Sequence, residues 1–523
     1  SRLKAIQKRG GKIVVVDPRR TATARLADQH LFIKPAQDVL LLLALVHVIV
    51  AQGWVQAGRL EPFIDGLDQL EDVVDGFAPE QVAGVVGISA ETIHQLAHDF
   101  AHAPSAVCYG RMGVSTQQFG GLCQWLINVL NIITGNFDEP GGAMFPLAAF
   151  NTTTAPRAGK FGRWHSRVRN LPEYFGELPC AVMAEEILTP GTGQIKAMVT
   201  IAGNPVLSTP NGRQLDNAFE QLDFMLAIDI YINETTRHAN IILPPATGLE
   251  VEHYDIAFHQ LAVRNTAKYS PALFEISAEQ RYDYQIYRAL AKRMATAERP
   301  YNANDPRNQL SLSQMLDFGL RSGPYRKNGV SVAQLQQSPH GIDLGPLQSA
   351  LPDRLFTPDH RINLLPDPFL ADLPRVKSTY LSPTSQPRTS ATSQPLLLIG
   401  RRDLRSNNSW MHNSQRLVKG KNRCTVLINS ADAHTHHIKN NQLVQVTSAV
   451  GSVTLPAQIS DDIMQGVISI PHGWGHDRAG IQMTTAQAHA GVSLNDLTDH
   501  THLDPLTGNA AFNGIPVTIS PAG

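Results

Sequence analysis

Two aspartates, each closing a short apolar run, are the residues best placed to do chemistry. In Gly11–Pro35, GKIVVVDPRRTATARLADQHLFIKP, the β-branched run Lys12–Val16 reads as a buried strand that ends on Asp17, and Pro18 stops its ladder. In Phe224–Pro244, FMLAIDIYINETTRHANIILP, a second strand ends on Asp229. Counting from each aspartate, a threonine follows at +6 (Thr23, Thr235), an arginine at +8 (Arg25, Arg237) and an alanine at +10 (Ala27, Ala239). Each copy then runs into an apolar strand and a proline. A carboxylate at the carboxyl end of a parallel strand faces the crevice where such sheets bind nucleotides, and there it can accept hydrogen bonds from a ribose or a guanine edge. The pattern reads as two strand–loop–strand half-sites, each shaped for one nucleotide. The plainer alternative is that strand-end aspartates recur in any α/β protein.

Other motifs carry less. PHGWGH, Pro471–His476, has two histidines at i and i+4, but Gly473 and Gly475 break the helix that a zinc pair would need. The alternatives are a cofactor-contacting loop and a packed aromatic turn. His434, His436 and His437 read as an exposed polar turn without chemistry. Arg111 lies in the Gly-rich loop Gly110–Gly113, and Arg157, Lys160, Arg163, Arg167 and Arg169 form a basic stretch. A guanidinium fork suits an anionic substrate or a phosphate, and Arg111 is the best single candidate. For most of the others a solvated basic face is expected.

The elements that must position these residues follow from composition and periodicity. A chain of 523 residues implies two to four domains, and 42% apolar with 17% charged residues is ordinary for a globular protein. A net charge of −1 gives no electrostatic case for nucleic acid or a membrane surface. Val39–Val50 is too short to span a bilayer and reads as a buried helix starting near Asp38. Ser89 caps a helix to Phe100, Ala106–Tyr109 reads as a short strand, and Gln118–Ile133 as an apolar helix. Asp65–Gly76 reads as a polar turn region and Arg299–Asp372 as weakly periodic. The cysteines Cys108, Cys123, Cys180 and Cys424 have no C-x-x-C spacing, so they form neither a zinc ribbon nor a cluster motif. Ser382–Pro395 is a low-complexity linker, and strands at Leu396–Ile399, Thr425–Ile428, Leu443–Ser448, Gly451–Ile459 and Gly466–Ile470 indicate a small closed barrel. The expected organisation is α/β over 1–148 and 149–381, a linker over 382–395 and a barrel over 396–523. Because the chain opens on an amphipathic helix rather than a strand, truncation at the N-terminus is expected. No G-x-G-x-x-G follows a strand, which argues against a plain NAD-dependent dehydrogenase.

The segments VVVDPRRTATARLAD, ITGNFDEPGG, IAGNPVLS, IDIYINETTRHANIILPP, LIGRRDL with SWMHN, IPHGWGH, and GVSLNDLT with LDPLTG together resemble the molybdopterin-guanine-dinucleotide oxidoreductases of the dimethyl-sulfoxide-reductase superfamily. That superfamily includes formate dehydrogenases and nitrate reductases. The resemblance implies Rossmann-like parallel-sheet domains followed by a double-psi β-barrel, with molybdenum or tungsten held between two pterin dinucleotides. It implies that Asp17 and Arg19 contact one guanosine diphosphate, aided by Asp38, and that Gly203, Asn204, Asp229 and Thr235 hold the other. Gly400, Arg401, His412, Asn413, His472, Gly473 and Asn495 would clamp the pterins from the barrel, with Asn513 where the family often carries a lysine. The loop Pro35-Ala36-Gln37-Asp38 departs from the family's usual Pro-Gly-Thr-Asp and lacks its glycine. The metal ligand and the cysteines of a 4Fe-4S cluster are implied upstream of Ser1, so Cys108 is not the metal ligand. A small-molecule substrate and an iron–sulfur or flavin partner subunit are implied as well, with a cytoplasmic location expected and a periplasmic one left open. The alternative in the same fold is a cofactor-free, electron-carrying subunit like the large subunit of respiratory NADH dehydrogenase. Retention of Asp17, Asp229, Thr235, Gly400-Arg401 and Asn495 favours the enzyme.

Overall fold

The computed structural model describes residues 2–152, 161–382 and 395–522. Most of the expected linker, and Arg157 and Lys160 of the basic stretch, lie outside the described residues. The helix Arg2–Lys8 leads into β1 (Val14–Val16), which pairs in parallel with β2 (Gln29–Leu31). Behind them lies a helical core of α1 (Asp38–Ala51), α2 (Ala90–Ala101) and α3 (Gly120–Ile133). Helix α1 is apolar on nearly every side because α2 and α3 both pack on it, which accounts for a run that looks almost transmembrane. No described helix is long and apolar enough to cross a membrane.

The segment Leu351–Val376, which the sequence places in 149–381, returns to this first core, and Ile362 pairs in parallel with Ile64. Leu364, Leu365, Leu373 and Val376 are buried there against the helices. Chain continuity alone is therefore a poor guide to that boundary. Arg299–Asp372 is also more regular than its composition suggests, since Leu312–Ser322 and Val332–Gln336 are helices with their own small core. Asp65–Gly76 holds the helix Leu70–Val74, and His434 lies in the helix Ser430–Thr435 rather than a turn.

The strand expected at Ala106–Tyr109 is extended chain without a strand partner. The side chain of Asn131 takes the place of a ladder, accepting from the Cys108 amide and donating to the Cys108 carbonyl at 2.9 Å each, while Asn136 accepts from the Ala106 amide at 2.8 Å. One edge of the segment is thus satisfied by side chains from α3 and the turn after it.

The second α/β unit has a three-stranded parallel sheet of β3 (Ala197–Ile201), β4 (Phe224–Ile228) and β5 (Ile241–Ile242). It is followed by the closed barrel of β6 (Leu396–Arg401), β7 (Val426–Ile428), β8 (Leu443–Thr447), β9 (Ser452–Ile459), β10 (Val467–Pro471) and β11 (Ile515–Pro521), in the order β6-β10-β7-β9-β8-β11. The two parallel pairs, β6 with β10 and β7 with β9, interlock as a double-psi barrel around Leu398, Val426, Val446, Leu455, Ile468 and Val517. The sixth strand, β11, was not among those expected. It alternates buried and exposed residues and closes the barrel against β6 and β8.

Candidate cofactor site between the half-sites and the barrel

The two half-sites share one local geometry. Asp17 accepts at Oδ1 from the amide two residues on, Arg19, at 2.8 Å, and Asp229 accepts at Oδ1 from Ile230 at 2.6 Å and Tyr231 at 3.1 Å. Each carboxylate therefore folds its own turn and stays partly open. Burial raises both carboxyls above the usual range, against the pull of those amides. Each turn is also fastened to the barrel. The Arg20 amide donates to Asp462 and the Met464 amide to Pro18 on one side, and the Gln482 amide donates to Ile232 at 2.9 Å on the other. The arginines at +8 repeat the theme, Arg25 pairing with Asp462 at 2.5 Å while Arg237 pairs with Asp216 and donates to the Ala479 carbonyl at 3.1 Å.

A cavity of about 260 Å³ opens between the second half-site and the barrel. Ala202, Gly203, Asn204, Leu207 and Ser208 form one wall, and Asn407–Trp410 with His472 and Gly473 form the other. The structure thus brings together four of the expected residues, Gly203, Asn204, His472 and Gly473. Asn407 and Asn408 lie in left-handed backbone, with φ of 40° and 59°, and Gly473 follows suit at 95°.

The cationic side is uneven. Arg401 is spent on the barrel, its guanidinium donating to the carbonyls of Ser469, Thr425 and Arg423, with no carboxylate among these partners. Burial lowers it to about 10, and Arg19 adds to that by repulsion. Arg19 thus acts on two neighbours, lowering Arg401 by repulsion and pulling Asp17 down by attraction against its burial.

Other expected residues stand behind the walls. Thr235 is fully buried, its hydroxyl donating to Asn204 and accepting from the Val206 amide. Asn413 accepts from the amides of Thr485 and Ala486, and buried Asn495 donates to the Leu207 carbonyl at 2.7 Å. Gly400 donates its amide to Asn513 at 3.2 Å. Asp38 sits at the head of α1, accepts from Gln117 at 2.6 Å, and is raised to about 6, mostly by burial and partly by facing Asp17. Arg111 is exposed at the start of the short helix Met112–Ser115 and does not line the cavity.

The side chain of His412 does not reach the cavity either. It is buried, stacks on Trp474 at 3.9 Å, and joins a chain that sequence reasoning missed. Glu234 Oε2 accepts from Asn204 at 2.6 Å, and Glu234 Oε1 meets His476 Nδ1 at 2.7 Å. His476 Nε2 meets His412 Nδ1 at 2.8 Å, and His412 Nε2 meets Ser406 Oγ at 2.7 Å. The sequence signals were His412, expected at the pterins, and PHGWGH, read as a cofactor-contacting loop rather than a zinc site; neither pointed to Glu234 or Ser406. Among the described residues no group of three or more His, Cys, Asp or Glu is placed to hold a metal.

Burial lowers His412 from 6.5 to about 3, and His472 to about 4. The unfolded chain takes up protons near the ordinary value, and the folded chain does so only further down. Stability is therefore fully present above pH 6.5, falls as pH falls through the window, and loses nothing more from these groups below about 3. Urea midpoints measured across that range are expected to decline on the acid side.

Ala36 occupies the position where the family's glycine is missing, and its φ is 67°. A left-handed alanine costs about 1–2 kcal/mol, while a glycine gives back about 0.5–1 kcal/mol through its freer unfolded state. Ala36→Gly is expected to stabilise by about 0.5–1 kcal/mol, read from the shift in denaturant midpoint.

A doubled nucleotide-type half-site facing a double-psi barrel defines an α/β enzyme that grips a dinucleotide cofactor from both sides. The chain belongs to the molybdopterin oxidoreductase family: residues 2–293 match the model described as molybdopterin oxidoreductase, and residues 396–516 match the molydopterin dinucleotide binding domain. It is 24% identical over 510 residues to the F420-dependent formate dehydrogenase subunit alpha of Methanocaldococcus jannaschii, covering 93% of this chain and 71% of that protein. It is 25% identical over 498 residues to the assimilatory nitrate reductase catalytic subunit of Bacillus subtilis, covering 89% of this chain and 66% of that protein. Among solved structures, acetylene hydratase from Pelobacter acetylenicus superposes with a TM-score of 0.76 at 19% identity, over 99% of this chain and 75% of that one. The protein is an oxidoreductase built to hold a molybdopterin dinucleotide. The residues present fit such a group: Asp17 and Asp229 stay partly open at two strand ends, and Gly203, Asn204, His472 and Gly473 line a cavity between the second half-site and the barrel.

Proposed function

We propose that this chain holds two pterin guanine dinucleotides, one per half-site, with molybdenum or tungsten between them, and acts on formate or nitrate as a small-molecule substrate. The repeat of strand, aspartate turn and strand on both sides of one barrel carries this reading. When bound, the pterin–metal group supplies two-electron redox chemistry. The protein's part is to bind and orient it. Asp17 and Asp229 accept from the guanosines, Arg19 faces a pyrophosphate, and Arg401 holds together the barrel strands that clamp the pterins. Gly203, Asn204, His472 and Gly473 line the cavity, and Gly400 and Asp38 shape its approach. Thr235, His412, Asn413 and Asn495 hold the walls from behind. Arg111 is the candidate for an anionic substrate.

A 4Fe-4S cluster is part of the proposed electron path, with thiolates from outside these residues, because the four cysteines here are free and dispersed. Free thiols also support a reducing, cytoplasmic setting. Relatives named as alpha subunits support a partner subunit, and an iron–sulfur or flavin electron carrier is the proposed one. Protein made in a host that synthesises the cofactor, purified without oxygen and given dye mediators, is expected to oxidise formate or reduce nitrate. A metal-loaded preparation inert to both would overturn the substrate assignment.

A further inference from the structure

Four polar side chains buried in series across a domain boundary need an explanation beyond packing. Glu234 comes from the second half-site and His476, His412 and Ser406 from the barrel, and all four are buried. Every link is 2.7–2.8 Å, and each of the two imidazoles uses both ring nitrogens. The chain begins at Asn204 in one cavity wall and ends at Ser406, which directly precedes Asn407–Trp410 in the other.

Along the side-chain links the donors and acceptors can run in two ways, with the Gly473 backbone beside His412 as a further acceptor. With Glu234 ionised, its carboxylate only accepts, so His476 donates from Nδ1 and accepts at Nε2. His412 must then donate from Nδ1 and accept at Nε2 from the Ser406 hydroxyl. The reverse order holds one more proton: Glu234 is a carboxylic acid donating to His476 Nδ1, His476 Nε2–H donates to His412, and His412 Nε2–H donates to Ser406. Both orders satisfy every link, with both rings neutral.

We infer that Glu234, His476, His412 and Ser406 form a one-proton wire, taking a proton from water at the Ser406 end and storing it on Glu234 behind the cavity wall. In the uptake step a hydronium ion gives its proton to Ser406 Oγ and leaves as water, while the hydroxyl's own hydrogen passes to His412 Nε2. The His412 Nδ1 hydrogen passes to His476 Nε2, and the His476 Nδ1 hydrogen to Glu234 Oε1. One N–H or O–H bond breaks for each that forms, and the four residues together lose their single negative charge. Asn204 can only donate to Glu234 Oε2, so the far end is closed and the proton returns by the same route. A proton-coupled redox site gains from a store that fills and empties beside it without placing a charged ring in the core. His412 is faced by His476, Arg423 and His472, and Arg423 lies 3.5 Å from Asp403. Burial and these neighbours oppose an imidazolium at His412 and outweigh the Gly473 backbone, which favours it.

The test is nitrogen-15 NMR of the whole chain labelled at histidine, with the two rings assigned by loss of signal in His412→Gln and His476→Gln. At neutral pH both rings are expected as Nδ1–H tautomers. On acidification both are expected to switch together to Nε2–H. Glu234→Gln can donate but never ionise, so it is expected to lock both rings as Nε2–H at every pH. Ser406→Ala removes the entry hydroxyl and is expected to abolish the joint switch while leaving the fold intact. Nε2–H rings at neutral pH, either ring becoming doubly protonated before the joint switch, or an unchanged switch in Ser406→Ala would each overturn the wire.

Discussion

Gly473→Ala is expected to be among the most damaging single methyl additions to this protein. A Cβ built there would lie 1.8 Å from the Asn408 carbonyl oxygen and 2.4 Å from its carbon, and the backbone at Gly473 has φ of 95°. Neither obstacle is a flexible side chain, so the loop Asn407–Trp410 must move. Overpacking of about 1–3 kcal/mol adds to a backbone penalty of about 1–2 kcal/mol, giving a loss of about 2–5 kcal/mol. Because that loop is one wall of the cavity, the variant is also expected to retain less nucleotide. Gly420→Ala is the control: its φ is 101° but nothing lies within 4 Å of the added methyl. It is expected to cost only the backbone share. Chemical denaturation of both proteins checks the difference, and equal midpoints would show that the loop yields easily.

His476→Leu is the second large effect. The substitution leaves Glu234 fully buried with only the Asn204 amide, and it removes the acceptor for His412. Stripping one partner from a buried carboxylate costs about 3–5 kcal/mol. The cost falls at the seam between the second half-site and the barrel, so loosening of the barrel contacts should accompany it. Adding Glu234→Gln to His476→Leu is expected to recover part of the loss, because a neutral amide needs less compensation. A double variant as unstable as the single one would place the cost in the lost ring packing against His412 rather than in the stranded charge.

Much of the fold was legible because its signals are local. Lys12–Val16 and Phe224–Ile228 are apolar runs stopped by aspartate, and both are parallel strands whose aspartates fold the same turn. Ser89 caps its helix by accepting from the Thr92 amide, as its position suggested. The misses are non-local. The edge at Ala106–Tyr109 depends on Asn131, and the return of Leu351–Val376 to the first core depends on tertiary packing. The links of the Glu234 chain join residues 242 and 64 positions apart, and no spacing rule reaches that far. Residue identity was also a weaker guide than burial. Thr235, His412 and Asn495 carry the right chemistry, yet their polar atoms are engaged inside the protein.

The central claim is that two equivalent half-sites each hold one guanine dinucleotide. The most direct measurement is metal content by mass spectrometry together with guanosine monophosphate released by acid, on protein from a host proven to make the cofactor. One molybdenum or tungsten and two guanosine monophosphates per chain are predicted, with a single nucleotide left after Asp229→Ala. Neither metal nor nucleotide in the unaltered protein would contradict the account and leave a cofactor-free subunit of the same fold.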